Sequence, residues 1–432
     1  MKKTLALLSL TLVTAFMHPM VSVVAQIPQI PPPFTVPTLP PSFPDLPTDE
    51  PSPSTPTPTP PPSTNQGPLR LIELEMNCTP RHVCLGWDEQ IFWRRGQKGD
   101  RKALLDSIDN SLRYLETNGA KQAYENYQIK DFTLDRVRRS LVRFRQLVAT
   151  SRSAAQLQNS VRREFAVYKS VGNDGNGTVK FTAYYEPIYT ASAVRTAEYK
   201  YPIFRTPPDF DNWAKPHPKR VDLEGADGLG ADRSQLRGLE LFWFRDRFDA
   251  YMIQIQGSAT LKLTDGRTTS VGYGGATDYP WTSIGKELLK DGKVDKEKLS
   301  LPGIITFFKE NPLEMNTYLP RWERFVFFKE RNGPSATGSL NVPVTAERSI
   351  ATDKSLMPRG ALAVVNASFP YPAPGGGLQY RRVSRFVLDQ DTGSAIKGPG
   401  RVDYFMGTGQ LAGDRAGVTG GNGGLYYLLL KQ

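Results

Sequence analysis

The stretch DTGSAIKGPGRVDYFMGTG, residues 391 to 409, combines two aspartates with a high density of glycine. Asp391 and Asp403 stand twelve positions apart, and three of the five glycines lie between them. Glycine in an ordered segment costs folding entropy, so such clusters occur where the backbone bends sharply or where a ligand approaches it closely. The pattern therefore predicts either a tight turn or a site that holds carboxylates beside a ligand.

Two segments are predicted to precede the folded part of the chain. Lys2 and Lys3, an apolar run and small residues up to Ala25 indicate a cleaved secretory signal over residues 1–25, since the run is too short for a membrane span. Residues 26–68 are rich in proline, threonine and serine, which predicts a disordered, semi-rigid linker. No cysteine follows the apolar run that could accept a lipid, so we expect an exported protein without a lipid anchor or a transmembrane segment.

The net charge and the counts of cysteine and histidine limit the partners and the kinds of catalysis that the chain can be expected to have. The net charge of +11 suits an anionic partner such as a cell-wall polymer, a membrane surface or nucleic acid, or else only a solvated surface. The two cysteines, Cys78 and Cys84, are expected to form one local disulfide. The chain has three histidines in all, which disfavours a metal site or a serine–histidine triad. We therefore predict no metal and no cofactor, and chemistry carried by carboxylates, hydroxyls or amides.

The pattern of apolar residues predicts a mainly β chain with helices near its start. Apolar stripes at helical spacing recur between about residues 100 and 170, and after Gly172 short alternating runs predict strands, among them DAYMIQIQGSATLKL. Between these strands, helices are predicted at SIGKELLKDGKV and LPGIITFFKENP. The folded part is longer than a single hydrophobic core normally supports, so two domains are expected.

Several motifs in order resemble the membrane-bound lytic murein transglycosylase A family. They are FTAYYEP, YPIFRTPP, LFWFRDRFDAYMIQIQGSATLKLTDG, GYGGATDYPWTSIGKELLKDGKV, FVFFKE and the stretch from Asp391. The resemblance implies a discontinuous double-psi β-barrel domain formed by residues 69–187 and 299–432. It also implies a smaller β-barrel inserted at residues 188–298, with a groove between the two that holds a glycan strand of peptidoglycan.

The resemblance also implies an activity. The family cleaves the β-1,4 bond between N-acetylmuramic acid and N-acetylglucosamine without water and leaves a 1,6-anhydromuramyl end. Asp403 matches the family's single catalytic aspartate, which acts first as an acid and then as a base. An acid that works near neutral pH needs a raised pKa, which desolvation can supply. Asp391 is expected to orient Asp403 or to hold the glycine-rich loop, and Asp353 to have a similar supporting or purely structural role.

Glycan contacts are expected on the strands that line the groove. Alternation sends Thr182 and Tyr184 to one face of their strand. The same argument places Gln254 and Gln256 together, and Gly257 permits close approach of a sugar. The predicted substrate-binding residues are Thr182, Tyr184, Tyr185, Gln254, Gln256, Gly257 and Ser258.

Two other functions stay open at this point. One is a hydrolase of the same glycan in which Asp391 and Asp403 share the acid and base roles. The other is a non-catalytic module that binds wall polysaccharide. For the leading interpretation we expect a periplasmic monomer, peripheral at the outer membrane or the wall. Its partners would be peptidoglycan strands and other cell-wall proteins, and not nucleic acid.

Overall fold

A computed structural model describes residues 67–73, 84–92, 98–331 and 336–432. All of them belong to the compact unit that runs from Thr59 to Gln432. The predicted signal, most of the predicted linker and Cys78 lie outside the described residues. Cys84 is one half of a disulfide. Within the described ranges, no helix has both the length and the apolarity needed to cross a bilayer.

The helices begin at side-chain caps and bury one face each. Thr133 and Ser153 accept hydrogen bonds from the first turns of the third and fourth helices, which is a strong local start signal. Leu104 and Ile108 of the first helix are fully buried, as their spacing predicts. The α-helices of the described ranges are α1 (Arg101–Leu115), α2 (Asn118–Glu125), α3 (Leu134–Thr150), α4 (Ala154–Glu164), α5 (Arg220–Glu224), α6 (Arg247–Gln256), α7 (Ile284–Lys290), α8 (Leu301–Glu310), α9 (Met315–Tyr318) and α10 (Gln410–Val418).

Strands occupy most of the remaining ordered chain. They are β1 (Leu69–Ile72), β2 (Phe165–Ser170), β3 (Val179–Glu186), β4 (Ile188–Ala191), β5 (Tyr201–Phe204), β6 (Glu240–Phe244), β7 (Ser258–Leu263), β8 (Thr268–Ala276), β9 (Val326–Arg331), β10 (Ser349–Ala351), β11 (Leu362–Pro372), β12 (Leu378–Asp391), β13 (Arg401–Thr408) and β14 (Gly421–Leu430). Short 3-10 helices lie at Glu89–Ile91, Phe210–Asn212, Ala231–Arg233, Lys296–Lys298, Pro312–Glu314 and Leu319–Arg321.

Six strands close into a ring that we call the large barrel. Its order is β14, β11, β12, β10, β13 and β3, and β3 pairs back onto β14. The β10–β12 and β13–β3 pairs are parallel, whereas the other pairs are antiparallel. Helices α1, α3 and α4 pack on this ring through one continuous core, in which the Phe144 and Phe386 rings lie 4.8 Å apart. The predicted barrel with helices near its start is confirmed.

The strands between β3 and β10 form a second ring, the small barrel. Strands β4, β7, β8 and β9 form one sheet, and β5 pairs with β6. Single bridges from Ser192 to Trp243 and from Arg205 to Phe328 join the two sheets, so the ring is closed. Because β9 belongs to this ring and Trp322 and Phe328 pack in its core, we propose that the inserted unit ends near Arg331 rather than at residue 298.

One predicted strand is wrong. The segment DAYMIQIQ, predicted to be extended, forms helix α6, whose first turn is capped by the Asp246 carboxylate. No residue of α6 is fully exposed, and its end, Ile253–Gln256, alternates apolar and polar residues with the two-residue period of a strand, so the sequence pattern favoured the wrong element. Gly257 ends the helix with a left-handed φ of 78°, and β7 begins at the next residue.

Candidate active site

Asp403 lies at the centre of three neighbouring strands. On β13 it stands opposite Thr182 of β3 on one side and opposite Ala351 of β10 on the other. The Thr182 hydroxyl donates a hydrogen bond of 2.6 Å to Oδ1 of Asp403. Both residues keep part of their surface exposed, so the pair is not sealed in the core.

The surroundings of Asp403 favour its protonated form. Burial of the carboxyl raises the pKa of Asp403 to about 6, although the Thr182 hydroxyl and the charge of Arg401 oppose this rise. The nearby charge of Asp391 adds to it. A carboxyl with this pKa is protonated often enough near neutral pH to donate a proton, and it can take one back after ionising.

Asp391 is held from three directions. Its Oδ2 accepts a hydrogen bond of 2.8 Å from the Tyr184 hydroxyl, and its Oδ1 accepts bonds of 2.8 Å from the backbone N–H groups of Ser339 and Thr392. Tyr184 in turn packs on Phe405, with ring centroids 5.0 Å apart. Burial raises the pKa of Asp391, and the three hydrogen bonds act against the rise. The side chain therefore ties two loops to the strand that faces Asp403.

Asp353 fixes the glycine-rich loop. Its carboxylate accepts hydrogen bonds from the backbone and the hydroxyl of Ser355 and, at 2.9 Å, from the N–H of Gly398. Burial works against ionisation, but these donors and the charge of Lys397 together hold the pKa of Asp353 below its usual value. No contact from Asp353 to Asp403 is seen among the described residues, so the geometry favours the structural role.

A cavity of about 280 Å³ opens beside Thr182. Its lining comes from strand β3 and helix α10 and from helices α6, α7 and α8. The lining is mainly apolar with a few hydroxyls and amides, and consists of Thr182, Ala183, Tyr185, Phe248, Tyr251, Met252, Ile255, Gln256, Trp281, Ser283, Ile284, Gly285, Leu301, Ile304, Ala416, Gly417 and Thr419. We call it the cleft cavity; its size and lining suit a small organic ligand or part of a larger one.

The predicted substrate residues differ in their position relative to the cleft cavity. Thr182, Tyr185 and Gln256 line the cleft cavity, and Gln256 accepts a hydrogen bond of 3.2 Å from the N–H of Tyr185. Tyr184 is engaged with Asp391 instead. Gly257 and Ser258 are half-buried at the junction of α6 and β7, next to Gln256.

Gln254 does not line the cleft cavity. Its side-chain oxygen accepts hydrogen bonds from Arg220 and from the N–H of Val326, and the residue is buried. The prediction that Gln254 and Gln256 point the same way was wrong because both lie on a helix, where residues two apart face different sides. We infer that Gln254 holds the core of the small barrel together.

The apolar wall of the cleft cavity was not predicted. Residues such as Phe248, Ile284 and Ile304 have the pattern of ordinary core residues, and only their shared position around one cavity reveals them as a lining. The small residues of LAGDRAGV were the available signal, since Gly417 permits the approach of Leu301 and Pro302. Across the described residues, no three histidine, cysteine or acidic side chains are grouped so that they could hold a metal ion.

Comparisons with known proteins agree with this architecture. The model named MltA specific insert domain matches residues 180–329, and the 3D domain model matches residues 348–429. Membrane-bound lytic murein transglycosylase A of Escherichia coli K12 is 30% identical over 259 residues, which is 59% of this chain and 67% of that protein.

Two solved structures have the same fold. The membrane-bound lytic murein transglycosylase of Agrobacterium tumefaciens has a TM-score of 0.61 at 25% identity, covering 81% of this chain and 97% of its own. E. coli MltA with bound chitohexaose has a TM-score of 0.61 at 23% identity, covering 85% and 96%. The class is therefore a double-psi β-barrel protein with an inserted β-barrel, as predicted. The chain belongs to the membrane-bound lytic murein transglycosylase A family.

Proposed function

We propose that this chain is a peptidoglycan lytic transglycosylase that cleaves the β-1,4 bond between N-acetylmuramic acid and N-acetylglucosamine. One observation carries the proposal. The carboxyl of Asp403 has a pKa raised to about 6 and is hydrogen-bonded to Thr182, which lines the cleft cavity. Family membership supports the same activity, because the relatives are named lytic murein transglycosylases.

In the proposed mechanism, Asp403 moves one proton twice. The protonated carboxyl gives its proton to the glycosidic oxygen as the bond from that oxygen to C1 of the muramic acid breaks. The C6 hydroxyl oxygen of the same sugar then bonds to C1, and the Asp403 carboxylate takes the hydroxyl proton. The product is a 1,6-anhydromuramyl end, no water is consumed, and Asp403 finishes protonated for the next cycle.

The contacts of Asp391 favour this mechanism over a hydrolase. A second carboxylate that activates water must face that water beside the sugar and not be held by the protein around it. Both oxygens of Asp391 already accept hydrogen bonds, from Tyr184 on one side and from Ser339 and Thr392 on the other. We propose that Asp391 positions the strands around Asp403, that Asp353 holds the glycine-rich loop, and that Thr182, Tyr185 and Gln256 contact the glycan.

We propose an envelope location for the protein. The relatives carry the name membrane-bound, and the sequence predicts export through residues 1–25 and a spacer through residues 26–68. A monomer in the periplasm, peripheral at the wall or the outer membrane, fits these features. Its partner would be the glycan strands of peptidoglycan.

The test is the Asp403→Asn variant on purified murein. We expect wild type to release muropeptides with anhydromuramyl ends. The variant should lose at least about a thousandfold of this activity, because the amide cannot supply the proton. Mass spectrometry of the digest distinguishes anhydro ends from reducing ends.

The matched control is Asp106→Asn on the exposed side of α1, where the aspartate only pairs with Lys102. It should lyse murein at the wild-type rate. Reducing muramic acid ends from the wild type would point to the hydrolase, and near-normal lysis by the Asp403 variant would remove Asp403 as the acid.

A further inference from the structure

A second cavity opens on the small barrel. Its volume is about 530 Å³, and no residue lines both it and the cleft cavity. Its lining includes one aromatic side chain, three polar side chains and two prolines, namely Trp213, Asp209, Asn212, Gln235, Pro216 and Pro218. We call it the Trp213 cavity. Nothing in the proposed reaction uses it.

Trp213 is fixed in place by its aromatic neighbours. Its ring meets Phe210 at 5.2 Å and Phe327 at 6.0 Å, both edge to face, and its indole N–H donates to Asp209 at 3.3 Å. These contacts leave the residue half-buried, with part of the indole turned to the cavity. A ring held in this way can bind a flat apolar surface without first losing rotamer freedom.

The polar side chains around Trp213 are available to a ligand. Asn212 and Gln235 are exposed, and neither side chain makes a hydrogen bond within the described part of the chain. The Asp209 carboxylate accepts only the indole N–H there. Each amide offers both donors and an acceptor, and Asp209 offers acceptors. Pro216 and Pro218 supply rigid walls without N–H donors.

A short segment links the two cavities. The N–H of Asp278 donates to Nδ1 of His217 at 3.2 Å, and the Tyr279 hydroxyl donates to the carbonyl of His217 at 2.5 Å. His217 itself packs against Trp213, with ring centroids 6.3 Å apart. A few residues later, Trp281 and Ser283 line the cleft cavity. The segment from Asp278 to Ser283 therefore runs from the surroundings of Trp213 to the lining of the cleft cavity.

We propose that the Trp213 cavity is a second glycan-binding site, which holds sugar rings of the peptidoglycan away from the bond that is cut. A sugar ring has apolar C–H faces and a polar rim, so it matches an indole face surrounded by amides and a carboxylate. This inference rests on the proposed function for its ligand class. Its role would be to raise the effective concentration of the strand at the cleft, because a second contact makes binding at the first one intramolecular.

The test compares variants made in the Asp403→Asn chain, which binds without cutting. Trp213→Ala should weaken binding to a soluble oligomer of β-1,4-linked N-acetylglucosamine and to murein sacculi by about fivefold, since stacking on the ring is lost. Trp213→Phe should restore most of the binding. Trp87→Ala is the control, because Trp87 is a partly exposed tryptophan that lines neither cavity.

A second variant tests the Trp213 cavity without removing the packed Trp213 side chain. Asn212→Ala with Gln235→Ala removes only exposed side chains, so the fold should persist while binding falls. With Asp403 intact, both variants should cut sacculi more slowly than wild type but should cut a short muropeptide dimer at the wild-type rate.

Equal binding by the parent, the Trp213 variants and the amide variant would overturn the second site. The proposed function is judged separately by the ends that the wild type releases. If those ends are reducing rather than anhydro, the proposed function fails while the binding comparison still decides on Trp213.

Discussion

At the scale of single residues, the proposed chemistry depends on opposing effects at one carboxyl. Burial raises the pKa of Asp403 to about 6, and the hydrogen bond from Thr182 keeps it from rising further because that bond favours the ionised form. The first proposed step needs the protonated form and the second proposed step needs the carboxylate. We infer that an intermediate pKa serves both steps and that Thr182 adjusts it.

The Thr182→Val variant tests this adjustment. The acid must be protonated in the free enzyme, so kcat/KM should fall as the pH rises through about 6 in the wild type. Loss of the hydroxyl removes an interaction that lowers the pKa, so the descending limb should move to higher pH. The measurement is the pH dependence of kcat/KM on soluble murein fragments.

The control for this shift is Thr190→Val on the exposed side of β4, which should leave the limb where it is. The position of the limb is informative even if the rate falls, because loss of a glycan contact lowers kcat/KM at every pH alike. An unchanged or downward-shifted limb in the Thr182 variant would contradict the assignment of Asp403 as the titrating acid.

At the scale of elements, a short strand brings the two aspartates of the glycine-rich stretch together. Ala351 of β10 pairs with Asp391 on β12 and with Asp403 on β13. The loop between those two strands is held by the carboxylate of Asp353, which lies two residues after the end of β10. The glycines therefore serve a tight connection, and that connection places the carboxyls at one site.

Asp353→Ala should loosen this connection. The change leaves the N–H groups of Ser355 and Gly398 without their acceptor, which we expect to cost about 1–3 kcal/mol of unfolding free energy. Denaturant unfolding measures the loss. The descending pH limb of kcat/KM should stay at about 6, since Asp353 acts on the loop and not on the proton of Asp403.

Asp265→Ala provides the comparison. Asp265 accepts the N–H of Arg267 in an exposed turn, so its loss should reduce stability much less. A pH limb that moves in the Asp353 variant would show that Asp353 is coupled to the acid itself, which a purely structural role does not allow.

Elements whose pattern is local were predictable from the sequence. Helices α1 and α3 could be predicted because one face of each is apolar at helical spacing. The glycine-rich stretch likewise drew attention to Asp391 and Asp403. Helix α6 could not be predicted, because it is buried on nearly all sides and lacks the polar face that identifies a helix. The misplacement of Gln254 followed from that error.

Contacts between distant parts of the chain were beyond the sequence pattern. The side chain that bonds Asp403 comes from 221 positions earlier, and only the parallel β3–β13 pairing brings it there. The apolar wall of the cleft cavity and the membership of β9 in the small barrel depend on the same kind of long-range packing. No local periodicity encodes such partners.

At the scale of the whole molecule, charge matters as well as shape. The chain carries a net charge of +11, whereas the peptide stems of peptidoglycan carry carboxylates. Attraction between the two favours encounter over a range set by the ionic strength. The exposed arginines of α3, which pair only in part with acidic neighbours, belong to this general positive field.

Binding to murein sacculi should therefore weaken with salt. Between about 0.05 M and 0.5 M sodium chloride we expect a loss of roughly threefold to tenfold, because screening shortens the reach of the field. A pull-down of the Asp403→Asn chain with sacculi measures it. Binding to the uncharged oligomer of N-acetylglucosamine is the control and should not change; salt-independent binding to sacculi would exclude a part for net charge.

The pairing of Thr182 with Asp403 also has a consequence for when the chain becomes active. The two partners are separated in sequence by the entire small barrel, so a ribosome finishes that unit before it adds Asp403. A nascent chain that ends before β13 therefore holds the Thr182 hydroxyl without the carboxyl that it bonds. The candidate site is complete only after β13 has been synthesised and the ring has closed through β14.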